Sequence, residues 1–224
     1  MANDVVIVSA CRTAIGSFMG SLSSIASPRL GALVVEEAVK RSGISKSDVD
    51  EVILGNVLTA GLGQAPARQS ALYAGLPDAV ECLTINKMCG SGLKSVMLGS
   101  QAIALGDAAV VVAGGMESMS NSPYLLEKAR DGYKMGHGKL IDSMIRDGLW
   151  DVYNDFRLGN AAEIGARECA IPREAQDEFA IQSYKRAQSA TAEGRFKEEI
   201  FPVVIKGKQG DTVVDQDEEP FKTN

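Results

Sequence analysis

Histidine is almost absent from this 224-residue chain, where His137 stands alone, and the four cysteines, Cys11, Cys82, Cys89 and Cys169, include no C-x-x-C pair. That leaves no spacing from which a zinc site is built. Basic charge is also scarce. With 23 Lys and Arg against 29 Asp and Glu, the formal net charge of -6 argues against nucleic acid as a partner. No apolar run is long enough to span a membrane, and residues 1–10 carry neither the basic start nor the small-residue cleavage pattern of a secretory signal. A cytoplasmic, globular protein is expected, with no membrane partner and with reduced thiols. Cys11, Cys82 and Cys169 read as small buried hydrophobes.

What is present is an alternation of short apolar runs and helical spacings. Val5–Ser9 reads as a strand buried on both faces. Ser27-Pro28 opens a helix, with Ser27 as its cap, that runs along Leu30, Leu33, Val34 and Ala38 until Gly43 ends it. After a brief turn at Ser47-Asp48, a strand from Val52 ends near Val57. A helix over Ala67–Ala74, a strand over Val80–Met88, a helix from Gly90 to about Leu105 and a strand over Ala108–Ala113 follow. This is β-α-β architecture with a parallel sheet. Gly61-Leu62-Gly63 hints at a dinucleotide loop, but Pro66 falls where the third glycine belongs.

Beyond Met116 serine, glycine and charge replace apolar strands, which reads as an inserted loop region with a boundary near Ser118. Pro172 then opens an amphipathic helix to about Glu193, with Phe179, Ala180, Ser183, Tyr184 and Ala187 along one face. Ile200–Ile205, containing Pro202, reads as an edge strand. The acidic stretch Asp215–Pro220 reads as strandless.

The chemistry gathers at Ile85–Ser95, where a strand end turns a corner into a helix of small residues. Helix N-termini present unpaired N–H groups and a partial positive charge, so a thiol placed there loses its proton more readily than in free solution. Cys89 is thus a candidate nucleophile, against the alternative of an inert core thiol. Glycines inside the helix that follows imply close packing, which predicts a centrally buried helix and a nucleophile reached through a channel. Corner N–H groups, including that of Cys89, are placed to hold the oxyanion of an acyl transfer. Lys94 follows Leu93 rather than glycine, which removes a phosphate loop, and Cys89 stands where a G-x-S-x-G elbow around Ser91 needs its first glycine.

Three blocks carry a resemblance. Asn86-Lys87-Met88-Cys89-Gly90-Ser91-Gly92-Leu93-Lys94-Ser95 resembles the active-site cysteine segment of the thiolase family. Val6–Gly16 resembles that family's opening strand and loop, and Ala113–Ser120 the strand end that leads into its loop domain. The resemblance implies an α/β thiolase-like fold, an N-terminal β-α-β half with an inserted loop domain. Residues 1–118 correspond to the N-terminal core half and 119–224 to an incomplete loop domain. It implies a ping-pong transfer through Cys89, which takes an acetyl group from one acyl-CoA for attack by the enolate of a second acetyl-CoA. Acetyl-CoA and acetoacetyl-CoA are then the substrates, no separate cofactor is needed, and the active form is a homo-oligomer.

The same resemblance exposes a departure. The family's base histidine, second cysteine and Asn-containing segment lie in a C-terminal half that these residues do not include, so the 224 residues alone are expected to be inactive. They are also expected to expose the apolar face that packs on the missing twin. His137 lies in a segment resembling the oligomerisation loop and reads as an exposed loop histidine. The region Asp142–Gly159 resembles the wall of the CoA channel, where the acetyl-CoA enzymes carry His-Met and this chain has Arg157-Leu158. Leu158 is a candidate for closing the acyl pocket, Leu149 for lining the pantetheine path, and Arg157 for meeting a CoA phosphate. Two rival readings are a thiolase for longer 3-ketoacyl-CoA substrates and a non-catalytic binding or assembly module of the same fold.

Overall fold

The computed structural model describes residues 4–208 and 210–222. Three strands, β1 (Glu51–Gly55), β2 (Glu81–Ile85) and β3 (Val111–Gly115), form a parallel sheet in the order β2-β1-β3. They alternate with α1 (Ser27–Ser42), α2 (Pro66–Tyr73) and α3 (Ser91–Leu105). This is the α/β layering expected. Side chains alternate across a strand, so the register divides the sheet cleanly. Val52 and Leu54 share one face with Cys82 and Val112 and pack with Val35, Val39, Ala67 and Ala71 of α1 and α2. Ile53, Val111 and Ala113 lie on the other face with Gly55 and Gly115, and there α3 sits.

Element ends follow from local chemistry. Gly43 closes α1 in the left-handed region, at φ 74°, with its N–H on the Lys40 carbonyl. Ser27 does not cap that helix, because it is its buried first residue, and Ala26 holds the cap position with no side-chain bond. The Asp50 carboxylate accepts the N–H groups of Ala109 and Val110, at 2.7 and 2.9 Å, so the β3 ladder begins later than the apolar run does. β2 is shorter than expected because the chain turns after Ile85.

Two apolar surfaces expected to be buried are open. Val5–Ser9 enters no ladder, and Val6, Ile7 and Val8 are 72%, 79% and 66% exposed. That segment is held to α1 by Ser9 Oγ donating to the Ala38 carbonyl at 2.7 Å and Cys11 Sγ to that of Val34 at 3.4 Å. It shares a groove of ≈ 470 Å³ with β3, α1 and α3. α3 is not central either. Ser91, Ser95 and Gly99, four residues apart, are buried on the sheet, while Leu93, Met97 and Leu105 face outward and are exposed.

Residues beyond β3 add small pieces that do not join the central sheet. β4 (Tyr124–Leu126) pairs with β5 (Leu140–Asp142), and a π-helical turn (Met144–Leu149) leads to β6 (Trp150–Asp151), which pairs with β7 (Phe156–Arg157). α4 (Leu158–Glu168) and α5 (Arg173–Ala192) follow. The apolar side of α5 lacks cover among the described residues, with Phe179 70% exposed. Cys169, expected inside, is an exposed thiol at the C-terminal end of α4.

The closing segment returns to the start of the chain. β8 (Val203–Ile205) pairs antiparallel with β9 (Thr212–Val214), and Val203 and Val214 pack with Ala14, Leu22 and Leu30 in a second core. Pro202 stands just before β8 rather than within it. The acidic stretch has structure after all. Arg12 grips Asp217 with both Nη atoms, at 2.7 and 3.0 Å, and Glu199 with Nε at 2.7 Å. The N–H of Ile15 donates to Asp217 as well, at 2.7 Å, and Glu218 accepts the N–H groups of Ser17 and Ser21. Glu219–Phe221 forms a final 3-10 turn.

Burial works against the Asp217 charge, but the Arg12 guanidinium and the Ile15 N–H outweigh it and hold the carboxyl below its ordinary 3.8. A depressed carboxylate contributes stability at neutral pH that is lost as pH falls through the folded-state value. Asp217→Asn is therefore expected to cost about 2 kcal/mol in urea unfolding at pH 7. The difference from the parent shrinks as the pH drops below 3.8.

Candidate active site

The corner between β2 and α3 is built on close approach. A Cβ placed on Gly55 would lie 2.5 Å from Ser91 Cβ and 2.9 Å from the Gly92 nitrogen, and one on Gly115 would lie 3.4 Å from Gly92 Cα. Glycine at these two strand ends lets the first turn of α3 rest directly on backbone. Ser95 Oγ lies 2.6 Å from the carbonyls of both Gly92 and Gly114, which ties the same turn to β3.

Cys89 sits at the apex. The preceding residue, Met88, has φ 50°, a left-handed conformation uncommon for a side chain of that kind. The N–H groups around it are taken up locally. That of Lys87 donates to Ser91 Oγ at 2.8 Å, that of Met88 to Asn86 Oδ1 at 2.9 Å, that of Gly90 to the Lys87 carbonyl at 3.1 Å and that of Ser91 to the Met88 carbonyl at 3.0 Å. Cys89 is exposed, not enclosed in a channel.

The other thiols are poorer nucleophile candidates for physical reasons. Burial pushes the Cys11 and Cys82 thiols up from 9.0, which keeps them protonated at neutral pH. Cys169 is exposed at the C-terminal end of α4, away from any strand-to-helix corner.

Sequence reasoning assigned no role to Glu117. Its Oε1 accepts from Asn56 Nδ2 at 2.7 Å and from the Leu58 N–H at 3.2 Å, and its Oε2 accepts from the Val57 N–H at 2.8 Å. Burial raises this carboxyl above its ordinary 4.5, against the pull of those donors. Glu117 thereby fastens the loop after β1 to the end of β3, while the Asn56 N–H bonds the Ile85 carbonyl at 3.0 Å. The one available signal was a lone charge within the otherwise uncharged run Ala108–Ser120.

The β6–β7 hairpin gathers the other candidates. Trp150 pairs with Arg157, which brings Leu149, Arg157 and Leu158 to one end of the hairpin. Leu149 is half-buried, and Arg157 and Leu158 are exposed. Among the described residues no hydrogen bond or ion pair joins them to Cys89. Their link to the corner is indirect, since a Cβ on Gly148 would lie 3.3 Å from Leu58, in the loop that Glu117 holds. His137 is exposed.

Residues 5–223 match the model of the thiolase N-terminal domain. This chain belongs to the thiolase family. It is similar to the acetyl-CoA acetyltransferase of Cupriavidus necator, with 56% identity over 221 residues that cover 99% of this chain and 55% of the relative. The enzyme of the same name from Pseudomonas aeruginosa is 53% identical over 218 residues, covering 97% of this chain and 56% of its own. Acetyl-CoA acetyltransferase 2 of Arabidopsis thaliana is 52% identical over 217 residues, covering 96% and 54%. The thiolase chain thus spans about half the length of the curated relatives it matches.

Because the Ser91 carbonyl carbon would lie only 2.7 Å from a Cβ at Gly55, Gly55→Ala must push the first turn of α3 off the sheet. The expected cost is about 1–3 kcal/mol, read from the urea midpoint. Iodoacetamide labelling of Cys89 should change rate in the same variant, while that of Cys169 stays constant.

Proposed function

We propose that the protein of which these residues form part is an acetyl-CoA C-acetyltransferase. It interconverts two molecules of acetyl-CoA with acetoacetyl-CoA and CoA. The observation that carries the reading is an exposed cysteine at a tight strand-to-helix corner, in a chain 56% identical to an enzyme of that name. Cys89 is the acyl acceptor. Its thiolate attacks the thioester carbonyl, the C–S bond to CoA breaks, and CoA leaves as the thiol once protonated. The enolate carbon of a second acetyl-CoA then attacks the acyl-cysteine, forms the new C–C bond and returns the Cys89 sulfur as leaving group. The tetrahedral oxyanion of the first step is received by the Cys89 N–H, since those of Lys87, Met88, Gly90 and Ser91 are taken up within the corner.

Leu149, Arg157 and Leu158 are proposed as CoA and acyl contacts. Their common placement at one end of a hairpin supports a shared role. Residues 1–118 act as the core half and 119–224 as part of the loop domain, and the active assembly is a homo-oligomer in the cytoplasm. Among the described residues, no helix is long and apolar enough to cross a membrane. The exposed outer face of α3 and the open Val6–Val8 segment support a packing partner in the rest of the protein.

Three outcomes test this reading. The protein expressed from its complete reading frame should thiolyse acetoacetyl-CoA, and Cys89→Ala should lower kcat on the order of 10⁴-fold. The 224 residues alone should show no turnover, yet Cys89 should label with iodoacetamide faster than Cys11, Cys82 and Cys169. Equal slow labelling of all four thiols favours a non-catalytic module, and a strong preference for long-chain 3-ketoacyl-CoA overturns the acetyl-CoA assignment.

A further inference from the structure

The structure points to Ser91 as a positioning residue for the acyl-transfer site. Its single hydroxyl makes two bonds inside the corner, accepting the Lys87 N–H at 2.8 Å and donating to the Met88 carbonyl at 2.6 Å. The Met88 carbonyl belongs to the same peptide unit as the Cys89 N–H. A trans peptide is planar, with C=O and N–H opposed. Drawing the Met88 oxygen in toward α3 therefore turns the Cys89 N–H the other way, out of the corner.

That orientation needs holding. A non-glycine residue in the left-handed region is strained, and relaxation of Met88 toward negative φ would rotate the following peptide. Ser91 opposes the rotation from the helix side. Asn86 opposes it from the strand side, through its bond to the Met88 N–H at 2.9 Å. Ser91 is itself immobilised. It is buried against Gly55, whose lack of a side chain admits Ser91 Cβ. The chain of support runs from the end of β1 through Ser91 to the peptide that carries the Cys89 N–H. A donor that must meet a developing oxyanion is sensitive to misplacement of this kind, and errors of about 1 Å cost on the order of 10²-fold.

This inference rests on Cys89 being the acyl acceptor, and the experiment separates the two claims. In the protein from its complete reading frame, acetoacetyl-CoA thiolysis is measured for Ser91→Ala, Asn86→Ala and Ser95→Ala, with Cys89→Ala alongside. Ser91→Ala keeps the Cβ that packs on Gly55 and the backbone N–H bond to the Met88 carbonyl at 3.0 Å, and loses both hydroxyl bonds. It should lower kcat by about tenfold or more while KM stays within about twofold. Asn86→Ala, at an exposed position where folding is not at stake, should lower kcat a few-fold in the same pattern. Ser95 is as deeply buried and bonds two carbonyls, but touches no peptide next to Cys89. Its alanine variant should lose thermal stability and keep kcat within about twofold.

Unchanged kcat in both Ser91→Ala and Asn86→Ala, with Cys89→Ala inactive, overturns the positioning role alone. So does a Ser95→Ala loss of kcat equal to that of Ser91→Ala, since that pattern reports general loosening of α3. Full activity in Cys89→Ala overturns the nucleophile reading itself.

Discussion

Everything at the site depends on how near one helix comes to one sheet. α3 meets the sheet through Ser91, Ser95 and Gly99, and it does so where Gly55 and Gly115 end their strands. No side chain of Gly55 or Gly115 separates the helix start from the strand ends, so the first turn rests on strand backbone. The entry to the helix is then fixed by the positions of two strands instead of by the packing of flexible side chains. Cys89, one residue before the helix cap, inherits that precision. The cost of helix glycines, about 1 kcal/mol each relative to alanine, is offset by the contact they permit.

The site is also held from below. Glu117, at the end of β3, collects donors from Asn56, Val57 and Leu58 and closes the gap between the loops that follow β1 and β3. A half-buried carboxyl is tolerated there because hydrogen-bond donors converge on it. The strand ends, the Glu117 loop and the Cys89 corner thus form one hydrogen-bonded edge along the C-terminal side of a parallel sheet, where ligands of open α/β sheets bind.

Much of this was legible in the chain, and what was not has a common cause. Alternating apolar runs and the stop at Gly43 located α1, α2, α3 and their strands, since those signals act over a few residues. Cys89 was legible as a thiol at a helix start. Val5–Ser9 was misread because an apolar run reports a preference for burial and not the presence of a ladder partner. The same holds for α3, whose outward leucines and methionine say that it wants cover without saying whether these residues provide it, and for the open face of α5. The bonding of Asp217 and Glu218 was invisible for a different reason. Their partners, Arg12 and the Ile15–Ser21 backbone, lie at the far end of the sequence, and no local pattern links residues so distant. Glu117 likewise depends on a loop some sixty positions earlier, which only the register of β1 against β3 brings near.

The Arg12 clasp carries a consequence for how the chain is made. The block from Ser27 to Met116 contains α1 to β3 and a complete core of its own, and it can consolidate while the rest is still being synthesised. The first residues cannot finish with it. Arg12 finds Glu199 and Asp217 only after nearly the whole of this sequence has left the ribosome, and Ala14 meets Val203 and Val214 no sooner. The residues around Arg12 are therefore secured only once residues 199–217 are present, well after the Ser27–Met116 core can form. Before the clasp forms, the neighbouring exposed Val6, Ile7 and Val8 lack the Arg12 anchor beside an unpaired strand edge, the stage at which a nascent chain is most open to capture by a neighbour.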